Sequence, residues 1–287
     1  MPLLRRSTIQ LLRFHFSLFL LPVYLFALAE LPAIDHYRAL LVFVILHLLV
    51  YPSSNGYNSY MDRDESPIGG LAQPLQPTRQ LFITSVVMDA LALLASLLVS
   101  PLFALGILLY ILASRAYSYR GIHLKRFPIA GFLTVFICQG ALVFFLTYYG
   151  VDPQHTLHVP LLSCIIASLL IGALYPLTQV YQHEADRQDG VTTISLLLGK
   201  RGSFVFSGLL FLAATFCLYI RFTQRGEPYL FLRFLLIMLP VVLFFLYWLV
   251  NVWRDDAKAD FTNSLRMNLV STLCTTIFFI TFIASTH

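Results

Sequence analysis

Apolar stretches of 18 or more residues follow one another along almost the whole chain of 287 residues. A helix of about 20 apolar residues spans the hydrocarbon core of a bilayer, and soluble domains rarely contain even one such run. Only 11% of the residues are charged, 58% are hydrophobic, and the mean hydropathy is +0.77. These values predict an all-α polytopic membrane protein with a single domain over residues 1–287 and no separate soluble domain.

Helix breakers separate the apolar stretches into nine predicted membrane helices. Pro32, Pro101 and Pro153 each follow the end of one stretch, and the first stretch is too long for the core of a signal peptide. The predicted helices cover residues 12–30, 36–60, 80–99, 101–119, 127–149, 158–182, 203–223, 230–252 and 265–285.

Two carboxylate clusters interrupt this apolar sequence at similar positions in its two halves. Residues 55–66, NGYNSYMDRDES, follow the second stretch, and residues 181–190, YQHEADRQDG, follow the sixth. Charge at membrane depth is costly and usually functional. Each cluster offers hard oxygen ligands beside a basic residue, which favours a magnesium–diphosphate site at a membrane surface.

The spacing within each cluster predicts how its side chains are presented. Asn58 and Asp62 are four residues apart and share a face if the second helix continues to Ser66, where Pro67 should end it. Gln182 and Asp186 repeat this spacing at the expected end of the sixth helix. Anions are unfavourable at a helix C-terminus, so the second cluster also points to a bound divalent cation.

The distribution of basic residues predicts the orientation in the membrane. With the N-terminus in the cytoplasm, fifteen of the 19 lysines and arginines lie on cytoplasmic segments, as the positive-inside rule requires. The protein is therefore expected in the inner (plasma) membrane as a multi-pass protein, with both acidic clusters cytoplasmic. Its pI of about 9.1 then reflects topology and contact with anionic lipid, not nucleic-acid binding.

With these motifs, the chain resembles the UbiA superfamily of intramembrane prenyltransferases over nearly its whole length. The family pattern is NxxxDxxxD after helix 2 and DxxxD after helix 6. Asn58 and Asp62 match the first motif, while Ser66 departs from it. Asp186 closes the second motif, while Gln182 departs from its leading aspartate. The segment AYSYRGIHLKRFPIAG, residues 116–131, resembles the basic segment of the family, with Lys125 at the usual lysine.

The resemblance implies a nine-helix bundle around a central cavity, Mg²⁺ as cofactor, and a prenyl diphosphate and a lipophilic acceptor as partners. Asp62, Asp186 and Lys125 are the expected catalytic residues. The expected metal ligands are Asn58, Asp62, Asp64, Gln182, Glu184 and Asp186, with Asp64 and Glu184 replacing the missing aspartates. Diphosphate is expected to bind Lys125, Arg120, Arg63 and Arg79. The residues expected near the site are Tyr57, Tyr117, Tyr181 and His183.

The implied function is Mg²⁺-dependent transfer of an isoprenyl group from a prenyl diphosphate to a lipophilic or aromatic acceptor within the membrane. One alternative is a terpene cyclase of the same family, which takes the same first step without an acceptor. A catalytically degenerate family member is another, because of Ser66 and Gln182. A transporter is a third, although its charged groups would be expected at the membrane midplane.

Overall fold

The computed structural model describes residues 4–286, and all regular structure in that range is helical apart from one isolated bridge between Ile68 and Leu71. The described residues contain nine helices that are long and apolar enough to cross a membrane, which confirms the predicted fold class. We number them as follows: α1 Arg6–Glu30, α2 His36–Asp62, α3 Arg79–Leu97, α4 Pro101–Ser118, α5 Pro128–Val151, α6 Leu161–Thr178, α7 Ile194–Gln224, α8 Pro228–Arg254 and α9 Phe261–Thr286.

The largest differences from the predicted bounds lie around α7. This helix begins at Ile194 and not at residue 203, because Gly199 adopts a φ of 70° and allows the chain to bend between two helical segments. Such a backbone conformation is accessible to glycine without strain. Conversely, α6 ends at Thr178 and not at residue 182, because its last turn tightens into a 3₁₀ helix that contains Pro176.

Two membrane helices contain π-helical segments. Residues Val44–Val50 of α2 and Phe136–Leu142 of α5 form wide turns between stretches of regular α-helix. Such segments are uncommon and frequently occur near functional sites. The π-segment in α5 also carries Gly140, which packs against α6.

Close packing of α5 against α6 depends on the absence of a side chain at Gly140. A Cβ atom there would lie 2.3 Å from the Cα atom of Ser168 and 2.7 Å from its backbone nitrogen. Membrane helices approach closely where small residues face each other. This contact therefore fixes the distance between the two helices.

Three loops meet at one end of the bundle. The Asn58 amide donates to the Ser118 hydroxyl, which joins the ends of α2 and α4. The Gln182 amide donates to the Pro67 carbonyl, which joins the α6–α7 connection to the α2–α3 loop. Because successive membrane helices alternate in direction, these three loops lie on the same side of the bundle.

The opposite end carries a buried ion pair between α1 and α7. The Glu30 side chain is fully buried, and its Oε2 accepts a hydrogen bond from Nε of Arg221 at 2.8 Å. Arg225 lies 3.8 Å from the same oxygen. Pairing is what makes a buried carboxylate tolerable at this depth.

We expect Gly140→Ala to destabilise the bundle by about 1–3 kcal/mol, because the added methyl group overpacks the α5–α6 contact against backbone. Gly208→Ala on α7 is the matched control, since its Cβ would meet Phe245 at an ordinary 3.6 Å. Thermal unfolding in detergent should show a lower midpoint for Gly140→Ala only. Equal midpoints for both variants would contradict this account of the contact.

Candidate functional site

The first acidic motif lies at the C-terminal end of α2. Asn58 and Asp62 are one turn apart, and Nδ2 of Asn58 donates to Oδ2 of Asp62 at 2.8 Å. The helix ends at Asp62, because Arg63 adopts the left-handed conformation with φ 54°. The predicted continuation to Ser66 is therefore wrong. The early end turns Asp64 out of the helical path, so that it lines the same cavity as Asp62.

Lys125 reaches this motif from the α4–α5 loop. Its Nζ lies 2.7 Å from Oδ1 of Asp62, and the two side chains are only 13% and 5% exposed. A single 3₁₀ turn, Leu124–Arg126, carries the lysine, and His123 precedes that turn with a φ of 55°. The pair is thus largely desolvated, and its attraction is stronger than that of a surface pair.

The second motif does not continue α6 but lies on a separate short helix, His183–Gln188. Glu184 and Asp186 therefore occupy the first turn of a helix, where the macrodipole favours acids. The expectation of acids at an unfavourable C-terminus is wrong, and it lends no support to a cation. Asp186 is held by Thr193, whose hydroxyl donates to Oδ2 at 3.1 Å.

Both motifs face one cavity of about 270 Å³ that extends from the three loops into the bundle. The predicted site residues in its lining are Asn58, Asp62, Asp64, Tyr117, Lys125, Gln182 and Asp186. The hydroxyls of Tyr117 and Tyr175 lie 2.5 Å apart, and Nε2 of Gln179 donates to Tyr175 at 3.0 Å. This chain of polar groups spans the wall between α4 and α6.

The remaining predicted residues are absent from this lining: Tyr57, Arg63, Arg79, Arg120, Tyr181, His183 and Glu184. Glu184 has a side chain that is 73% exposed and pairs with Arg187, so it points away from the cavity. Arg120 lies close by, where it binds Asp189 of the cavity lining at 2.7 Å. Arg63 lies over the ring of Tyr60, and Arg79 is exposed at the start of α3.

The three other side chains expected near the site pack against neighbours. The Arg115 guanidinium lies 4.0 Å from the ring centre of Tyr57, while Tyr181 makes an edge contact with Phe261. His183 is buried, and its Nε2 lies 2.8 Å from Oγ of Ser195. Burial lowers the pKa of His183 to about 4, so the ring is neutral at pH 7.

Arg13 is a lining residue that the motif analysis did not identify. It is only 5% exposed, and it interrupts α1 with a φ of 48°. Its terminal nitrogens donate to the carbonyl oxygens of Gly69 and Asn55 at 3.2 and 3.4 Å. The sequence signal for Arg13 is its position inside an apolar run. The positive-inside rule counts it only as one more cytoplasmic charge.

Two carboxylates of the cavity carry raised pKa values. Burial and, to a smaller extent, the adjacent charge of Asp62 together raise the pKa of Asp64 to about 6. Burial also raises the pKa of Asp186 to about 6, while the hydrogen bond from Thr193 acts in the opposite direction. Added positive charge beside these groups would favour their ionised forms.

The described residues contain no group of three or more His, Cys, Asp or Glu side chains close enough to hold one metal ion between them. Asp62, Asp64 and Asp186 line one cavity from two separate loops. Mg²⁺ uses one or two carboxylates and completes its octahedron with water and phosphate oxygens. The donor set therefore fits Mg²⁺ that is shared with a phosphorylated ligand.

The comparisons with known proteins agree with this geometry. The sequence profile of the UbiA prenyltransferase family matches residues 19–272, and the chain belongs to that family. No curated protein sequence matches the chain significantly.

Several solved structures share the fold. A UbiA homologue from Archaeoglobus fulgidus, bound to DMAPP and Mg²⁺, has a TM-score of 0.68 at 19% identity, over 97% of this chain and 99% of that one. The apo UbiA homologue from Aeropyrum pernix K1 has a TM-score of 0.70 at 19% identity, over 94% and 98%. A digeranylgeranylglyceryl phosphate synthase has a TM-score of 0.61 at 16% identity, over 98% of each chain.

We expect Arg13→Ala to weaken Mg²⁺-dependent binding of inorganic pyrophosphate about tenfold or more, because a charge-assisted hydrogen bond is lost. Arg6→Ala is the control, since Arg6 lies near the same end of α1 but is exposed. Isothermal titration in detergent measures both affinities. Wild-type affinity in a folded Arg13→Ala variant would remove Arg13 from the site.

Proposed function

We propose that this protein transfers an isoprenyl group from a prenyl diphosphate to a lipophilic or aromatic acceptor within the membrane, with Mg²⁺ as cofactor. The observation that carries the proposal is the meeting of Asp62, Asp64 and Asp186 with Lys125 and Arg13 around one cavity. Membership of the UbiA prenyltransferase family supports it, as do the related structures bound to Mg²⁺ with DMAPP or GPP.

The carboxylates of Asp62, Asp64 and Asp186 would hold Mg²⁺, which when bound neutralises the charge that develops on a diphosphate leaving group. Asn58 and Gln182 donate their amide N–H groups to Asp62 and Pro67. The side-chain carbonyl oxygens of Asn58 and Gln182 therefore remain available as additional metal ligands, either directly or through a water molecule. Ser66 is absent from the cavity lining, so the motif departure there removes no group from the wall.

Lys125 and Arg13 supply positive charge on the diphosphate side. Lys125 extends from the α4–α5 loop and pairs with Asp62. A bound diphosphate and the Asp62 carboxylate would therefore both contact the Lys125 ammonium group. Arg120 adds a cation nearby, and its hydrogen bond to Asp189 raises its pKa, so it stays charged. Preorganised charges of this kind stabilise a leaving anion with little reorganisation.

A second, apolar cavity of about 250 Å³ lies next to the first, among α1, α6, α7, α8 and α9. The two cavities share the lining residues Phe19, Ile171 and Leu174. A hydrocarbon chain gains free energy in such a space in proportion to the apolar surface removed from water. We assign it to the isoprenoid tail, with the diphosphate held by the polar cavity.

The orientation belongs to the same proposal. With the N-terminus and both acidic motifs in the cytoplasm, the site opens toward the compartment that supplies soluble diphosphates, and the protein resides in the inner (plasma) membrane. Arg13, Lys125 and Arg120 then add to the positive-inside bias of that face.

We expect a reporter fused to the C-terminus to read as outside the cytoplasm, because nine crossings place the two termini on opposite sides. A fusion in the α4–α5 loop should read as cytoplasmic. The pair of fusions calibrates the assay in both directions. A cytoplasmic signal from the C-terminal fusion would contradict the proposed orientation.

We expect Asp62→Ala and Asp186→Ala each to lower prenyl transfer at least 100-fold, because each removes a charged ligand from the metal site. Asp256→Ala is the control, since Asp256 has a side chain that is 60% exposed on the α8–α9 turn and pairs with Arg201. The assay incubates purified protein with Mg²⁺, labelled prenyl diphosphates and a membrane lipid extract, followed by mass spectrometry.

The products of this assay also separate the alternatives. A prenylated acceptor and pyrophosphate support the proposal. A hydrocarbon or alcohol formed from the diphosphate alone would instead identify a cyclase. Full activity in either aspartate variant would remove that aspartate from the metal site, and no consumption of any diphosphate would identify a degenerate family member.

A further inference from the structure

The polar cavity continues past the acidic motifs into the membrane interior, where its wall carries hydroxyl and amide groups. Tyr51, Ser54, Tyr110 and Gln139 line this deeper end. The rings of Tyr51 and Tyr110 lie 6.0 Å apart. The π-segment of α5 supplies Gln139, and α2 resumes its α-helix at Tyr51 directly after its own π-segment.

Two of these groups lack a hydrogen-bond partner. The hydroxyls of Tyr51 and Ser54 are buried, and neither is paired with any described residue. Tyr51 as a whole is only 2% exposed. Buried hydroxyls are normally satisfied, because an unsatisfied one costs about 1–3 kcal/mol. A ligand that enters this end of the cavity could satisfy both.

The charged side chains that line the same cavity belong to the two acidic motifs, the α4–α5 loop and α1. They are Arg13, Asp62, Asp64, Lys125, Asp186 and Asp189. Tyr51 and Ser54 lie about 16 and 12 Å from Asp62 along α2, at 1.5 Å per residue. Arg13 lies nearer to this end, because one of its terminal nitrogens donates to the carbonyl of Asn55, the residue after Ser54, and the other to that of Gly69.

Because an apolar cavity adjoins it, the deep polar end is not needed to hold the prenyl tail. A prenyl tail gains nothing from hydroxyl groups and is better accommodated beside Phe19, Ile171 and Leu174, where the apolar cavity adjoins. The polar end is then left for the second substrate. Apart from Arg13, which we assign to the diphosphate, the wall at this end is uncharged, so it would penalise an unpaired carboxylate or phosphate.

We infer that Tyr51, Ser54, Tyr110 and Gln139 form the acceptor subsite, and that it takes an uncharged acceptor with a hydroxyl, carbonyl or amide group at the end remote from the reacting carbon. The inference rests on the proposed prenyl transfer and specifies its second substrate class. A phenol or quinol without an acidic substituent fits this description, whereas an aromatic acid does not.

The test uses two probes that differ in one charge, 4-hydroxybenzamide and 4-hydroxybenzoate. Their binding to the purified full-length protein in detergent is measured without Mg²⁺ or prenyl diphosphate. We expect the amide to bind at least tenfold more tightly than the acid at pH 7. We expect Tyr51→Phe and Ser54→Ala each to weaken amide binding about 3- to 10-fold, because each substitution removes one neutral hydrogen bond to the ligand.

Tyr247→Phe is the matched control, because Tyr247 is 63% exposed on α8 and lies outside both cavities. It should leave amide binding unchanged. Binding of a prenyl diphosphate with Mg²⁺ should be unchanged in all three variants. Loss of diphosphate binding in Tyr51→Phe would overturn the inference, since Tyr51 would then face the prenyl chain.

Two further results would overturn it: tighter binding of the acid than of the amide, or unchanged amide binding in both cavity variants. The binding assay also separates this inference from the proposed function. Amide binding that depends on Tyr51, in a protein that turns over no prenyl diphosphate, supports the subsite and contradicts prenyl transfer.

Discussion

The ion pair between Lys125 and Asp62 is the contact on which the rest of the site depends. It joins the end of α2 to the α4–α5 loop at a depth where either charge alone would be costly. Loss of one partner of a buried pair costs about 3–5 kcal/mol, because the other charge is left uncompensated. Asn58 extends the same contact to Ser118 at the end of α4. The Asp62 carboxylate and the Lys125 ammonium, which we propose as a metal ligand and a diphosphate-binding group, therefore hold each other in position.

The departure at Gln182 has a structural reason that the motif alone does not reveal. Its Nε2 donates to the Pro67 carbonyl and so connects the loops that carry the two motifs. A carboxylate has no proton to donate at neutral pH and could not make this contact. Compared with an aspartate, glutamine at this position removes one negative charge from the site and adds a hydrogen bond between the two loops. Four carboxylates still line the cavity, two from each motif.

The apolar runs were sufficient to predict nine membrane helices. The two acidic motifs predicted Asn58, Asp62 and Asp186 at one site, and the family resemblance added Lys125. Such patterns do not predict local backbone conformations or contacts between distant parts of the chain. Arg63 ends α2 in a left-handed conformation, although Pro67 is the stronger sequence signal for a helix end. Arg13 was missed because its role depends on carbonyl oxygens more than 40 residues away in sequence. The sequence also did not reveal that Glu184 lies outside the cavity, because the faces of a short helix cannot be assigned before the start of the helix is known.

The π-segment Val44–Val50 determines which way the first motif points. A wide turn contains one residue more than an α-helical turn, so it rotates every later side chain of α2 by about 100° relative to an uninterrupted helix. Asn58 and Asp62 face Lys125 only with this offset in place. The register of the motif is thus set about two turns earlier, in the largely aliphatic segment VILHLLV, which lies outside the motif. A one-residue deletion there would leave composition and length nearly intact, yet would turn Asn58 and Asp62 away from the cavity.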